Sequence, residues 1–321
     1  YGVSKVTAVR ALMELENEGL VTREHGRGTF VTPQDADGSY PRIKKAVCAI
    51  IPDMTNPFYI EVIASMERKL RDHGIPVELS CTEYDVEIER RLFRKAQRDR
   101  QISAIMLIAT SIPHTLADVS EIRTPIVTVD SCPNDLTDKS TFISCDHFRG
   151  GYEAAEHLAS LGHRAIGYVR WVYGSQARFE GFRSGLTAHG ISLPESRIMT
   201  LASSEHIGEE VVDFVQRERL TALFTINDML AIQTMKILRG HGLRIPEDVS
   251  LVGYDDVLAA RYLDVPLTTV EQHEDEIGRR TAEALLALMD SKNVRKKPRE
   301  IVIVPHLVIR ASTAPPRSTG K

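Results

Sequence analysis

From Ala46 onward the chain alternates short apolar runs with longer amphipathic stretches, and this alternation limits the fold more than any other feature. The apolar runs are AVCAII (46–51), VELSC (77–81), AIMLIA (104–109), PIVTVD (125–130), TFISC (141–145), AIGYV (165–169), ALFTI (222–226) and VSLVG (249–253). Runs of this length, bounded by polar residues, suit strands buried on both faces. Most of the gaps carry apolar residues at helical spacing, as in 57–72, 85–99, 148–161, 205–217, 228–240 and 274–290. Strands alternating with helices predict an α/β architecture of parallel sheets covered on both faces. The pattern continues to about residue 313, too far for one compact sheet, so two lobes are expected.

Several function classes drop out on composition and motif. With 321 residues, 42% hydrophobic and 26% charged, the chain suits an ordinary soluble protein with a substantial core. No stretch approaches the roughly 18 to 20 apolar residues that span a bilayer, so no membrane partner is expected. The start, Tyr1-Gly2-Val3-Ser4-Lys5, has no secretory pattern and no initiator Met, which reads as a fragment of a cytoplasmic protein. Cys48, Cys81, Cys132 and Cys145 lie far apart beside apolar runs and read as free buried thiols. The eleven histidines show no metal-binding spacing, so no metal is expected. GxGxxG, GxxxxGK[ST] and GxSxG are all missing, and no nucleophile or base stands apart from helix-cap positions. Neither an enzyme nor a cofactor is therefore expected.

Residues 1–32 have a different texture, reading as helix, turn and β-ribbon. Ser4 can cap a helix whose apolar positions Val9, Leu12 and Leu15 repeat at helical spacing, with Gly19 as its stop. Residues 20–23 and 29–31 read as two strands joined through His25-Gly26-Arg27-Gly28. Lys5, Thr7 and Arg10 fall near the helix N-terminus, the end that reaches base edges when a recognition helix enters the major groove. Acidic and basic residues balance over this segment, so only the placement of charge speaks for DNA. By helical pattern alone an ordinary amphipathic helix and hairpin is the better reading. The run YGVSKVTAVRALMELENEGLVTREHGRGTFV resembles the second half of the GntR-type winged helix-turn-helix, from recognition helix through wing. That resemblance implies DNA contacts by Ser4, Lys5, Thr7 and Arg10 through the helix and by Arg27 through the wing. The earlier helices of such a domain are not in the sequence, so weak operator binding by this fragment is expected. Residues 33–45 are rich in Pro, Asp and Gly and read as a linker without the pattern of a hinge helix.

In the large segment, polar residues collect where strands hand over to helices, the ligand edge of open α/β sheets. Asp53, Asn56, Phe58 and Tyr59 follow the first strand, while Asp130, Asp146, Asn227-Asp228 and Asp255-Asp256 follow later ones. Arg178 opens the helix in GSQARFEGF. Taken singly, each acid reads as a helix cap, and Phe58 and Tyr59 suit the core as well as a site. Taken together they supply carboxylates, an amide, a guanidinium and aromatic faces, which suit a ligand rich in hydroxyls. The run Arg90 to Arg100, interleaved with Glu87, Glu89 and Asp99, reads as a solvated helix face.

The phrases PDMTNPFYIEVIASME, CDHFRGGYEAAEHLASLGHRAIGYV, ARFEGF, FTINDMLAIQTMKIL, IPEDVSLVGYDDVLAARY, PLTTVEQ and HLVIRAST, in that order, resemble the LacI-type effector-binding domain over 46–313. The resemblance implies the periplasmic-binding-protein type I fold, two Rossmann-like lobes joined by three crossovers. Lobe 1 would take about 46–160 and 274–303, lobe 2 about 161–273 and 304–313, with 314–321 as a tail. It also implies ligand contacts at Phe58, Tyr59, Asp146, Arg178, Asn227 and Asp255, with Gln272 near the last crossover. The loop before Arg178 and the stretch 202–205 depart from the pattern on the side that would select the ligand. A GntR-type reader on a LacI-type receptor resembles the arabinose-responsive repressors of Gram-positive bacteria. The joint reading is a DNA-binding transcription regulator, more a repressor than an activator, with an effector such as a sugar in the interlobe cleft. A homodimer on double-stranded operator DNA follows from the same resemblance. The alternative, a solute-binding protein of a sugar transporter, fits the receptor part alone.

Overall fold

The computed structural model of the chain describes residues 5–17, 20–24, 28–31, 46–110, 116, 122, 124–172, 175–202, 207–290 and 299–317. Helix α1 (Lys5–Asn17) is followed by the antiparallel strands β1 (Val21–Glu24) and β2 (Gly28–Val31), with Val21 opposite Val31 and Glu24 opposite Gly28. The amide of Leu20 donates to the carbonyl of Leu15 as the helix ends. This is the helix and ribbon that the sequence predicts. The linker at 33–45 lies outside the described residues.

Two compact units account for the rest. The first gathers the described residues of 1–52, 66–141 and 281–298, the second those of 53–65, 142–280 and 299–321. In chain order the elements begin with β3 (Ala46–Ile51), α2 (Pro57–Arg71), β4 (Val77–Cys81), α3 (Val86–Arg98), β5 (Ile102–Leu107) and β6 (Ile126–Val129). Within the first unit the strands run β4-β3-β5-β6, all parallel. Every residue of β3 is buried, as a continuous apolar run at the centre of a covered sheet requires. Asp85 caps α3 by accepting from the amides of Glu87 and Ile88, and the helix lays Phe93 and Ala96 into the core. Each large apolar side chain buried in this way contributes roughly 1.5 to 3 kcal/mol. Glu89 departs from the solvated face read in the sequence. It is fully buried, and its side chain accepts from the Thr110 amide, just beyond the end of β5, so that the buried polar group is hydrogen-bonded.

The second unit continues with β7 (Thr141–Cys145), α4 (His147–Ser160), β8 (Ile166–Trp171), α5 (Gln176–Ala188), β9 (Ile198–Leu201), α6 (Glu210–Arg217), β10 (Ala222–Thr225) and α7 (Asp228–Gly240). The chain closes with β11 (Ser250–Val252), α8 (Leu258–Arg261), β12 (Thr269–Glu271), α9 (Glu274–Met289), whose residues from Thr281 on belong to the first unit, β13 (Glu300–Ile303) and β14 (His306–Val308). The main sheet of the second unit runs β9-β8-β10-β11 and is parallel throughout. The chain leaves β8 to one side for β9 and returns to the other side for β10. The carboxyl ends of β8 and β10 therefore flank a topological switch point, where open α/β sheets bind ligands. Strand β13 pairs parallel with β7, and β14 antiparallel with β12. The core is aromatic, with the Tyr168 and Phe224 rings 5.4 Å apart and Phe182 and Phe224 4.7 Å apart.

Helices α4 and α5 lie backbone against backbone. A Cβ on Gly151 would sit 2.1 Å from the Arg178 carbonyl oxygen, and one on Gly181 would sit 1.9 Å from that of Phe148. Only glycine permits so close an approach, and the approach brings the start of α4 beside the start of α5.

Candidate functional site

Arg178 is the centre of a buried polar network at the switch point. Ser175 caps α5 by accepting from the Arg178 amide at 3.3 Å, which fixes where the arginine leaves the backbone. The side chain is 6% exposed, and an arginine so buried must be paired. Its guanidinium carbon lies 3.4 Å from the centre of the Tyr254 ring, a cation–π contact worth about 2 kcal/mol when desolvated. One Nη donates to the Ile226 carbonyl and the other to His147 Nδ1 at 3.2 Å. Because arginine only donates, His147 Nδ1 must accept. The same nitrogen lies 3.3 Å from the Tyr254 hydroxyl. Burial keeps the Tyr254 phenol protonated, well above its ordinary range, with Arg178 opposing that shift.

Each of these three partners is the chain neighbour of a residue singled out in the sequence: His147 of Asp146, Ile226 of Asn227, and Tyr254 of Asp255. The structure thus brings Arg178, Asn227 and Asp255 to the carboxyl edge of the β9-β8-β10-β11 sheet, with Asp146, at the end of β7 outside that sheet, beside them through its neighbour His147. Gln272 joins them, its Nε2 donating to Asp255 Oδ1 at 2.6 Å. Asp255 and Gln272 are 3% and 1% exposed, and Gln272 Oε1 is buried without a hydrogen-bond partner among the described residues. Asp255 has φ 117, an arrangement held by its amide donating to the Val270 carbonyl. Backbone strain of this kind costs about 1 to 3 kcal/mol in a non-glycine residue and gathers at functional positions.

Asp146 and Asn227 also serve as the caps expected of them singly. Asp146 accepts from the Arg149 amide and Asn227 from the Leu230 amide, at 3.0 and 2.9 Å. Phe58 and Tyr59 form an edge-to-face pair at the start of α2, with ring centres 5.5 Å apart and Phe58 buried.

Two buried residues that sequence reasoning passed over, His147 and Tyr254, shape this edge, together with Asp228, which it noted only as a strand-end acid. His147 and Tyr254 clamp Arg178, and their signal was only adjacency to Asp146 and Asp255. Asp228 is fully buried, with Thr269 Oγ1 donating to it at 2.6 Å and the Val257 amide at 2.9 Å. Burial raises its carboxyl to about 7, the two hydrogen bonds opposing the shift. Burial likewise raises Glu274, at the start of α9, to about 8. Asp256 stays paired, forked by Arg261 at 2.8 Å and Arg310 at 2.6 Å.

Among the residues read as DNA contacts, Ser4 and Arg27 lie outside the described residues, and Lys5 begins α1. Thr7 and Arg10 are exposed on that helix. The Arg10 side chain is 82% exposed, with Nε 3.8 Å from Glu14, a surface pair too loose to hold it.

The comparisons with known proteins agree with both halves. Residues 1–31 match the family of bacterial regulatory proteins, gntR family, and residues 155–313 match the periplasmic binding protein-like domain. The HTH-type transcriptional regulator DegA of Bacillus subtilis (strain 168) is 31% identical over 84% of this chain and 81% of that protein. The arabinose metabolism transcriptional repressor of Geobacillus stearothermophilus is 27% identical over 98% of this chain and 88% of that protein. A solved LacI family transcriptional regulator from Enterococcus faecium, with bound ribose, superposes with a TM-score of 0.72 at 26% identity, covering 84% of this chain and 99% of that one. With its parallel-sheet receptor and its GntR-type helix and wing, the chain belongs to the LacI-type family of ligand-responsive, DNA-binding transcriptional regulators.

Proposed function

We propose that this protein is a cytoplasmic repressor, acting as a homodimer, whose grip on operator DNA is set by a sugar bound against Arg178, Asp255 and Gln272. The observation that carries the reading is the unpartnered, buried Gln272 Oε1 beside the Asp255 carboxylate, at the same edge as the Arg178 guanidinium. Buried acceptors without donors cost about 1 to 3 kcal/mol each, and a ligand with hydroxyls supplies donors to them. Neighbouring hydroxyls also accept, so they match a guanidinium as well as a carboxylate. Asp146 and Asn227 add polar atoms to the edge, and Phe58 and Tyr59 supply apolar rings for the C–H face of a sugar. The ribose held by the Enterococcus relative and the arabinose system named for the Geobacillus relative support this ligand class.

Ser4, Lys5, Thr7 and Arg10 read DNA through α1 in this account, and Arg27 does so through the wing. The receptor is taken as 46–313. Binding changes operator affinity only as far as the sugar prefers one of two receptor states. Turnover of the ligand has no part in it.

The test is a gel-shift titration of the full-length protein on operator DNA at fixed salt, with a panel of pentoses and hexoses. One sugar should shift operator affinity by about 5- to 150-fold, and Arg178→Ala should keep operator binding but lose that response. A wild-type protein that binds operator and responds to no sugar would overturn the ligand class. An Arg178→Ala protein that responds normally would overturn the site.

A further inference from the structure

Glu271, His273 and His306 form a second polar cluster that the effector reading leaves unused. They meet across the antiparallel pair β12–β14, where Glu271 stands directly opposite His306. Glu271 and His273 flank Gln272, which is turned toward Asp255. His273 has φ 63, a left-handed conformation that costs a non-glycine residue about 1 to 2 kcal/mol. Its carboxylate neighbour reaches both rings: Glu271 Oε2 is 3.1 Å from His306 Nε2, and Oε1 is 3.5 Å from His273 Nδ1. The two remaining ring nitrogens, His306 Nδ1 and His273 Nε2, are 3.2 Å apart, with ring centres 4.9 Å apart. One donor atom from each side chain can be chosen so that all three lie within 4.8 Å of one another.

Tetrahedral zinc, with bonds of about 2.0 to 2.1 Å, separates its donor atoms by about 3.3 Å. The three short separations involve different ring nitrogens; with one donor taken from each side chain all three lie within 4.8 Å, and ring rotations would close them toward the zinc spacing on a shared ion. Two imidazoles and a carboxylate suit zinc and its neighbours, whereas calcium and magnesium prefer oxygen alone and copper(I) prefers thiolate. The Glu271, His273 and His306 side chains are 26%, 32% and 53% exposed, so an ion has a path in and the ligands are little desolvated beforehand.

We propose that Glu271, His273 and His306 bind one divalent transition metal of the zinc class, with a further coordination position open to solvent. The site is independent of the effector reading, because none of its three ligands belongs to the Arg178 network. No sequence motif announces it, since His306 comes from a separate strand far along the chain.

The experiment is a titration of metal-free, untagged protein with Co2+, read by visible absorption, followed by displacement with Zn2+. One Co2+ per chain should bind with the absorption of a four- or five-coordinate site, and one equivalent of Zn2+ should abolish that absorption. Glu271→Gln and His306→Gln should each weaken binding by about tenfold or more, while His241→Gln, just past the end of α7, should leave it unchanged. Equal urea midpoints for the variants and wild type check that folding is intact. No stoichiometric Co2+ spectrum, or variants that bind as wild type does, would overturn the proposal and leave a hydrogen-bonded Glu–His–His chain.

Discussion

Replacing Gly181 by alanine should force α4 and α5 apart, and the geometry sets the size of the effect. The added methyl would lie 1.9 Å from the Phe148 carbonyl oxygen and 2.7 Å from its carbon. A carbon–oxygen contact needs about 3.3 Å, so the helices must separate by more than about 1 Å. Both clashing atoms are backbone, and no rotamer change can relieve them. Alanine in a helix interior gains roughly 0.5 to 1 kcal/mol over glycine, but overpacking a close contact costs about 1 to 3 kcal/mol. The net expectation is a loss of up to about 2.5 kcal/mol once the propensity gain is taken off, toward the upper end because both clashing atoms are backbone. Gly240 provides the control, because a Cβ there meets nothing within 4 Å at the end of α7. Gly240→Ala should therefore be neutral or stabilise by up to about 1 kcal/mol. Equilibrium urea unfolding of the two variants beside wild type measures both effects. Midpoints that move in the same direction, or a Gly181→Ala midpoint at or above wild type, would refute the close-packing argument. Because residues 178 and 181 share a helix face, Gly181→Ala should also weaken sugar binding without touching the ligand.

Asp228 predicts a pH dependence. Its carboxyl is raised from 3.8 to about 7 in the folded protein, so its contribution to stability is complete below about pH 4 and is lost as pH rises through 7. Between pH 5 and pH 8 that loss is on the order of 2 to 3 kcal/mol, and Asp228→Asn should shrink the difference between urea midpoints at those two values. An unchanged difference would show that the carboxyl is ionised throughout. In the DNA-binding half, Arg10→Ala should weaken operator binding by about tenfold at fixed salt, in line with loss of one base or phosphate contact. The same change should leave the urea midpoint alone, because Arg10 is exposed. No loss in a gel-shift titration would remove Arg10 from the recognition surface.

Much of the fold was legible because buried parallel strands are continuous apolar runs. AVCAII and TFISC begin and end where their strands do, and so does VELSC, although β4 lies at the sheet edge with no residue buried. Strand β9 was missed because its residues IMTL are mostly half-exposed, and β12 and β14 are only three residues long, too short for any period to register. Strong long-range terms decided the rest. Glu89 looks like one charge among many in its helix, and the Thr110 amide beyond the end of β5 shows why it points inward. The candidate site was legible as a set of strand-end polar residues, whereas its clamp was not. His147 and Tyr254 resemble ordinary helix-start and core residues until the glycines at 151 and 181 bring two helices into backbone contact. The Glu271–His273–His306 cluster depends on strand pairing that no local pattern reveals.

The central claim is that one sheet edge, organised by Arg178 and Asp255, holds the effector. Calorimetric titration of the sugar selected by the gel-shift panel into wild type, Arg178→Lys and Asp255→Asn tests it most directly. Lysine keeps the charge at 178 but loses the planar fork and the stack on Tyr254, and asparagine keeps the size of Asp255 but loses its charge. The account predicts saturable 1:1 binding to wild type and a loss of about tenfold or more in each folded variant, as each forfeits a charged hydrogen bond. Wild-type affinity in both variants would contradict it.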